Sequence, residues 1–181
     1  LEILQDPDMA DVTDDVIRIA QASADRMMAL VDAILEIGRL EAGSVELQRE
    51  VVPFKVFVEA MTEEARVSRQ DVRIELDIPD AFPDLWVDPA IAMRIINNLL
   101  SNALKFARSP DGLIRIMAAR QDAWAEVCVY NDGPHIAPDL QKHLFHKFVT
   151  GENERRGYGL GLAFCQLAVK AHGGRIWTEN R

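Results

Sequence analysis

Between Thr13 and Leu40 the chain has no Pro, and no Gly until Gly38, while Val16, Ala20, Ser23, Met27, Leu30, Ile34 and Ile37 recur at alternating spacings of four and three. An α-helix returns to the same face about every 3.6 residues, so this run can gather its apolar side chains only as one long helix. Further apolar positions at Ile19, Val31, Leu35 and Leu40 widen the stripe beyond a two-stranded seam and predict packing in a helical bundle. Docking of the helix on the segment that follows is the alternative. The polar stretch QDPDMADVTDD in front of it reads as a turn, and LEIL at residues 1–4 as the tail of a preceding helix.

After EAGS the period changes. Alternation predicts strands at Val45–Glu50 and Val72–Ile78, with a helix over Val56–Val67 between them. Asp88 as N-cap and Pro89 at the first helical position open a helix that runs to about Ala107. Leu113–Ala119 and Ala125–Asn131 form an antiparallel pair around Gln121-Asp122. A last helix runs from about Leu160 to Ala171, is stopped by Gly173-Gly174, and leads to one more strand at Arg175–Glu179. The expected organisation is a partial helical hairpin over residues 1–43, its helix at about 13–41, followed by an α/β domain over 44–181.

With 181 residues the chain has room for one ordinary domain and a smaller element. A formal net charge of −9 disfavours a nucleic-acid partner, because phosphate-backbone binding depends on Lys and Arg. No apolar run reaches the roughly 20 residues of a membrane span, and the first residues lack the pattern of a secretory leader. Cys128 and Cys165 lie far apart in apolar segments and read as reduced core residues, which fits a cytoplasmic location.

Two stretches carry chemistry. In IINNLLSNALKF, Asn98 and Asn102 are one helical turn apart, with Lys105 and Phe106 a further turn along. Asn disfavours helix interiors because its amide competes for backbone hydrogen bonds, so three of them in six positions need a reason. A solvated face is one. The other is that amide oxygens suit Mg²⁺, a cation that binds between a few oxygens and substrate phosphates, with Lys105 neutralising a phosphate. In RRGYGLGLAFCQLAVKAHGG, Gly157, Gly159 and Gly161 lead into a helix N-terminus, where free N–H groups and the helix dipole favour an anion. A flexible hinge is the alternative reading of those glycines. The pattern is neither a Walker A loop nor a dinucleotide fingerprint.

Taken in order, these pieces resemble the ATP-binding catalytic domain of sensor histidine kinases, a two-layer α/β sandwich of the Bergerat type shared with gyrase, MutL and the heat-shock chaperone. NNLLSNALKF resembles the N box, YNDGPHI the first glycine box, HLFHKF the F box, and GYGLGLAFCQLAVKAHGGRI the second glycine box. RMMALVDAILEIGRLEAGSVEL is similar to the second helix of the kinase dimerisation hairpin. The resemblance implies ATP and Mg²⁺ as cofactors. Asn102 would coordinate the metal with Asn98 beside it, Lys105 would meet the phosphates, and Phe106 would flank the nucleotide. Asn131 and Gly133 would face the adenine, while Gly157, Gly159, Leu160 and Gly161 would hinge the ATP lid and cradle phosphate. Thr150–Arg156 would be the mobile part of that lid.

The departures are specific. Where the family has an Asp that accepts a hydrogen bond from the adenine amino group, this chain has Asn131, which predicts weaker adenine binding. The second Gly of the same box is His135. Hydrolytic relatives carry a Glu where this chain has Asn98, which disfavours plain ATP hydrolysis. No His precedes His135, so either a phosphoacceptor His is expected ahead of this chain, which LEIL favours, or the protein has none, and the family's usual last strand is not expected within these residues. The implied activity is ATP-dependent phosphorylation of a His on a helical bundle. The implied partners are a second copy of the chain through the hairpin and a response regulator or phosphotransfer protein, with any membrane contact made by regions outside this chain. The alternative is a degenerate, non-catalytic module that acts by protein–protein interaction and binds ATP weakly or not at all.

Overall fold

The computed structural model describes the backbone of residues 7–150 and 158–180, with side chains from residue 15 onward except Ser68. Helix α1 spans Pro7–Glu41. It takes in most of the polar run read as a turn from the sequence, because Pro at a first helical position loses no needed N–H and acidic residues are favourable in a first turn. LEIL lies outside the described residues.

The strand expected at Val45–Glu50 does not form; β1 is Glu50–Val52. The alternation there serves packing instead. Val45 joins the apolar cluster beside α1, and the Gln48 N–H donates to the Asp88 carboxylate at 2.9 Å rather than to a neighbouring strand. Then follow α2 (Phe54–Ser68), β2 (Val72–Asp77), β3 (Leu85–Val87) and α3 (Pro89–Phe106). The chain continues through β4 (Gly112–Gln121), β5 (Trp124–Asn131), α4 (Pro138–His143) and α5 (Gly161–Ala171). Asp88 caps α3 as expected, accepting from the Ile91 N–H at 3.1 Å.

Strands β1 and β3 make an antiparallel ribbon, while β2, β4 and β5 form a second sheet in the order β2-β4-β5, parallel in the first pair and antiparallel in the second. Along β4, Ile114, Ile116 and Ala118 point to the helical layer and are buried, as period-two alternation requires. They meet Phe54 and Val58 of α2 and Ile96, Leu100 and Ala103 of α3 in the main core. The other sheet face is mixed, carrying Leu113 and Met117 together with Arg115, which reaches across to Glu75, its register partner on β2, at 2.8 Å. This is the two-layer α/β sandwich expected from the sequence.

A second core joins α1 to the sandwich. Ile37 and Leu40 pack with Leu160, Phe164, Cys165 and Ala168 of the α5 region. The strand expected at Arg175–Glu179 is absent: those residues are irregular and held by side-chain bonds, with Gln141 donating to the Thr178 carbonyl and Asn180 bonding both backbone groups of Ile136. Alternation is compatible with a strand but supplies no ladder partner. Among the described residues no helix is long and apolar enough to cross a membrane.

Candidate functional site

Helix α3 carries four of the candidate residues. Its apolar side is buried in the sandwich, so the Asn-rich side is turned toward α5 and the loops that flank it. Asn98 is half-buried against the start of α5: a Cβ built on Gly161 would lie 2.9 Å from the Asn98 Oδ1. A side chain at Gly161 would displace the Asn98 amide, so the glycine lets that amide lie against the start of α5, which brings the N box and the second glycine box together. Asn102 is half-buried one turn further on. Lys105 and Phe106 are exposed at the end of the helix, with the Lys105 Nζ 5.0 Å from the centre of the Phe106 ring.

Beneath Asn98 sits Cys165, fully buried. Burial pushes its thiol up to about 12, with the Asn98 side chain and the Arg94 guanidinium pulling the other way. Neither cysteine is in a disulfide; Cys165 is a core residue as expected, whereas Cys128 is half-buried on β5 rather than in the core.

The end of β5 brings the first glycine box beside α3. Asn131 pairs in register with the fully buried Ile114, and Val129 with Ile116, so Asn131 shares the core-facing side of the strand. Asp132 points elsewhere. Its carboxylate accepts the Arg108 N–H at 3.1 Å, and its own N–H donates to the Leu113 carbonyl at 3.0 Å. Burial alone would raise this carboxyl, but hydrogen bonds from backbone N–H groups, that of Arg108 foremost, hold it below its ordinary value. Gly133 closes the turn. A Cβ there would overlap the Phe106 carbonyl oxygen and lie 2.7 Å from the Asn131 Nδ2.

The second glycine box is anchored by backbone. Gly159 has φ +65°, and a Cβ on it would lie 2.6 Å from the Val149 carbonyl oxygen. The Phe148 N–H donates to the Gly159 carbonyl at 2.9 Å, which ties the two ends of the intervening loop together. Leu160 is buried and precedes the first residue of α5. Gly157 and residues 151–156 of the expected lid lie outside the described residues. Among those described, Asn98, Gly159, Leu160 and Gly161 gather at the start of α5, and Lys105, Phe106, Asn131 and Gly133 at the end of α3 and β5.

Sequence reasoning missed three attachments. The anchoring role of Asp132 was hidden because the residue could be weighed only as an acceptor for a ligand. The Tyr158 hydroxyl donates to the Arg26 carbonyl at 3.3 Å, and Lys147 pairs with Glu41 at 2.6 Å, so both flanks of the loop touch α1. Asp88 is linked to α5 as well, its N–H donating to the His172 Nε2 at 3.1 Å. The last two depend on segments distant in sequence, and no local signal marks them.

The Asn-rich side of α3 beside the N-terminus of α5, in an α/β sandwich, suits a nucleotide-binding domain. The family described as histidine kinase-, DNA gyrase B- and HSP90-like ATPase matches residues 87–181, more than half of the chain, and the chain belongs to it. Among its relatives, the adaptive-response sensory kinase SasA of Prochlorococcus marinus is 33% identical over 113 residues, covering 61% of this chain and 30% of that protein. SasA of Synechococcus sp. (strain JA-3-3Ab) is 28% identical over 159 residues, covering 86% of this chain and 42% of that protein. The chain thus spans less than half the length of these two curated relatives. The crystal structure of full-length ShkA in complex with AMPPNP is similar over 88% of this chain and 34% of that one, with a TM-score of 0.76 and 26% identity.

Proposed function

We propose that this chain is the ATP-binding catalytic part of a two-component sensor histidine kinase, preceded by the second helix of its dimerisation hairpin. The observation that carries this reading is the contact of Asn98 with Gly161, which packs the N box directly on the glycine-led N-terminus of α5. A triphosphate beside that contact meets amide oxygens of one helix and the N-terminus of another. Residues 1–43 then belong to the hairpin and 44–181 to the catalytic domain.

The donor set suits Mg²⁺. Asn98 and Asn102 offer amide oxygens one helical turn apart on α3, and such oxygens suit a cation that binds between a few oxygens and nucleotide phosphates. Asn102 would hold the ion, with Asn98 beside it. When bound, Mg²⁺ offsets phosphate charge during transfer. Lys105 neutralises phosphate, Phe106 flanks the nucleotide, Asn131 and Gly133 face the base, and Gly157, Gly159, Leu160 and Gly161 form the hinge and phosphate cradle. The reaction is phosphoryl transfer to a His on a bundled helix, in which the protein chiefly positions the reactants. A second copy of the chain and a response regulator or phosphotransfer protein are the partners, in the cytoplasm.

A thermal melt with Mg·ATP tests the reading. At a hundred times its dissociation constant the nucleotide stabilises the fold by about 2.7 kcal/mol. Asn102→Ala is expected to abolish the part of that shift that depends on Mg²⁺. No shift at millimolar Mg·ATP in the folded protein would overturn the proposal.

A further inference from the structure

We infer that Asn131 relaxes the purine selectivity of this site, so that triphosphates of 6-oxo purines compete there with ATP. The inference rests on the nucleotide site proposed above, with Asn131 reading position 6 of the base. Adenine presents an amino donor at that position and a 6-oxo purine presents a carbonyl acceptor. A carboxylate only accepts, and so selects the amino group. A carboxamide both donates and accepts, and a half-turn of its last torsion exchanges the two without changing the space it fills.

The structure leaves this role to Asn131. By register with Ile114 it stands on the core-facing side of β5, half-buried, with its Nδ2 turned toward Gly133. The neighbouring carboxylate cannot take over as a selective acceptor. Asp132 follows the last residue of β5, and its carboxylate is engaged by the Arg108 N–H at 3.1 Å. Gly133 contributes no side chain, and the Phe106 carbonyl leaves no room for one. Asn131 is also neutral, so its bond to the 6-amino group lacks the charge assistance that favours adenine at a carboxylate. Both effects act in the same direction, by weakening the bond to ATP and by removing the repulsion that rejects a 6-oxo base.

Competition of Mg·ATP and Mg·ITP against a fluorescent ATP analogue tests this in the whole chain, for the unaltered protein, Asn131→Asp and Asn131→Ala. Inosine differs from adenosine at position 6 and its adjacent nitrogen while adding no 2-amino group, so the comparison isolates the contact. The unaltered protein is expected to prefer ATP by less than about tenfold, and Asn131→Asp to raise that preference by at least about tenfold, chiefly by losing ITP. Asn131→Ala weakens both nucleotides and leaves their ratio near that of the unaltered protein, and it provides a second reading if Asn131→Asp fails to fold. A strong ATP preference that neither substitution alters, with ATP still bound, overturns this inference alone. If no nucleotide binds any of the three proteins, both the inference and the site fall.

Discussion

At the scale of single residues, the site is held by places where a side chain is forbidden. Gly133 and Gly38 make the contrast. A Cβ on Gly133 would overlap the Phe106 carbonyl, the last turn of the helix that carries Lys105 and Phe106, whereas a Cβ on Gly38 within α1 would meet nothing inside 4 Å. Gly133→Ala must therefore push β5 away from α3, an overpacking cost of about 1–3 kcal/mol, and nucleotide binding is expected to weaken with it. Gly38→Ala replaces a poor helix former by the best one and should stabilise by up to about 1 kcal/mol. Chemical denaturation of the two variants checks both signs. A Gly133→Ala protein as stable as the parent would show that the Phe106 contact yields at no cost. Asp132 belongs to the same argument, since its bond to the Arg108 N–H holds the α3 exit against the strand end where Asn131 is presented.

At the scale of elements, α1 uses two different faces. Ile37 and Leu40 are buried against α5, and Glu36 pairs with Arg94, whose guanidinium lies 4.3 Å from the centre of the Phe164 ring. Val16, Ile19, Met27, Met28, Val31, Ile34 and Leu35 remain exposed. The sequence announced the helix and the width of its stripe, but periodicity cannot say which apolar residues meet which neighbour, so docking and bundling both remained open. Ile37→Ala removes buried methyl groups and is expected to cost about 2–4 kcal/mol at any protein concentration. Val31→Ala should change monomer stability by less than about 0.5 kcal/mol, and any larger loss should appear only at concentrations where the exposed face is paired. Melts over a range of concentrations separate the two. Elsewhere the legible elements were those with their own punctuation. α3 had its Asp-Pro cap, β4 and β5 their turn, and α5 its glycines at both ends. Val45–Glu50 and Arg175–Glu179 were misread because alternation reports two-sidedness and not a ladder partner, and β3, at three residues, is too short to show a period.

For the whole molecule, the net charge of −9 makes acid the informative perturbation, since protonation both relieves repulsion and removes the carboxylates that fasten one part of the fold to another. Asp71 is such a fastener. It receives the Arg69 guanidinium through two bonds, of 2.7 and 2.9 Å, and the Ser109 hydroxyl at 2.9 Å, while Arg69 also donates to the Leu104 carbonyl at 3.0 Å. The start of β2 is thereby joined to the end of α3 and to the loop that enters β4. The Arg69 hydrogen bonds, followed by that of Ser109, hold the Asp71 carboxyl down at about 2. An unfolded Asp titrates near about 3.9, so the folded state binds the proton less readily. The stabilisation is present in full above the unfolded value and is lost as pH falls from about 4 through about 2. Asp71→Asn should melt at a lower temperature than the parent at pH 6, and the gap between the two proteins should close as pH falls to about 2. A gap that persists unchanged to pH 2 would mean that the Arg69–Asp71–Ser109 cluster is held by shape rather than by charge.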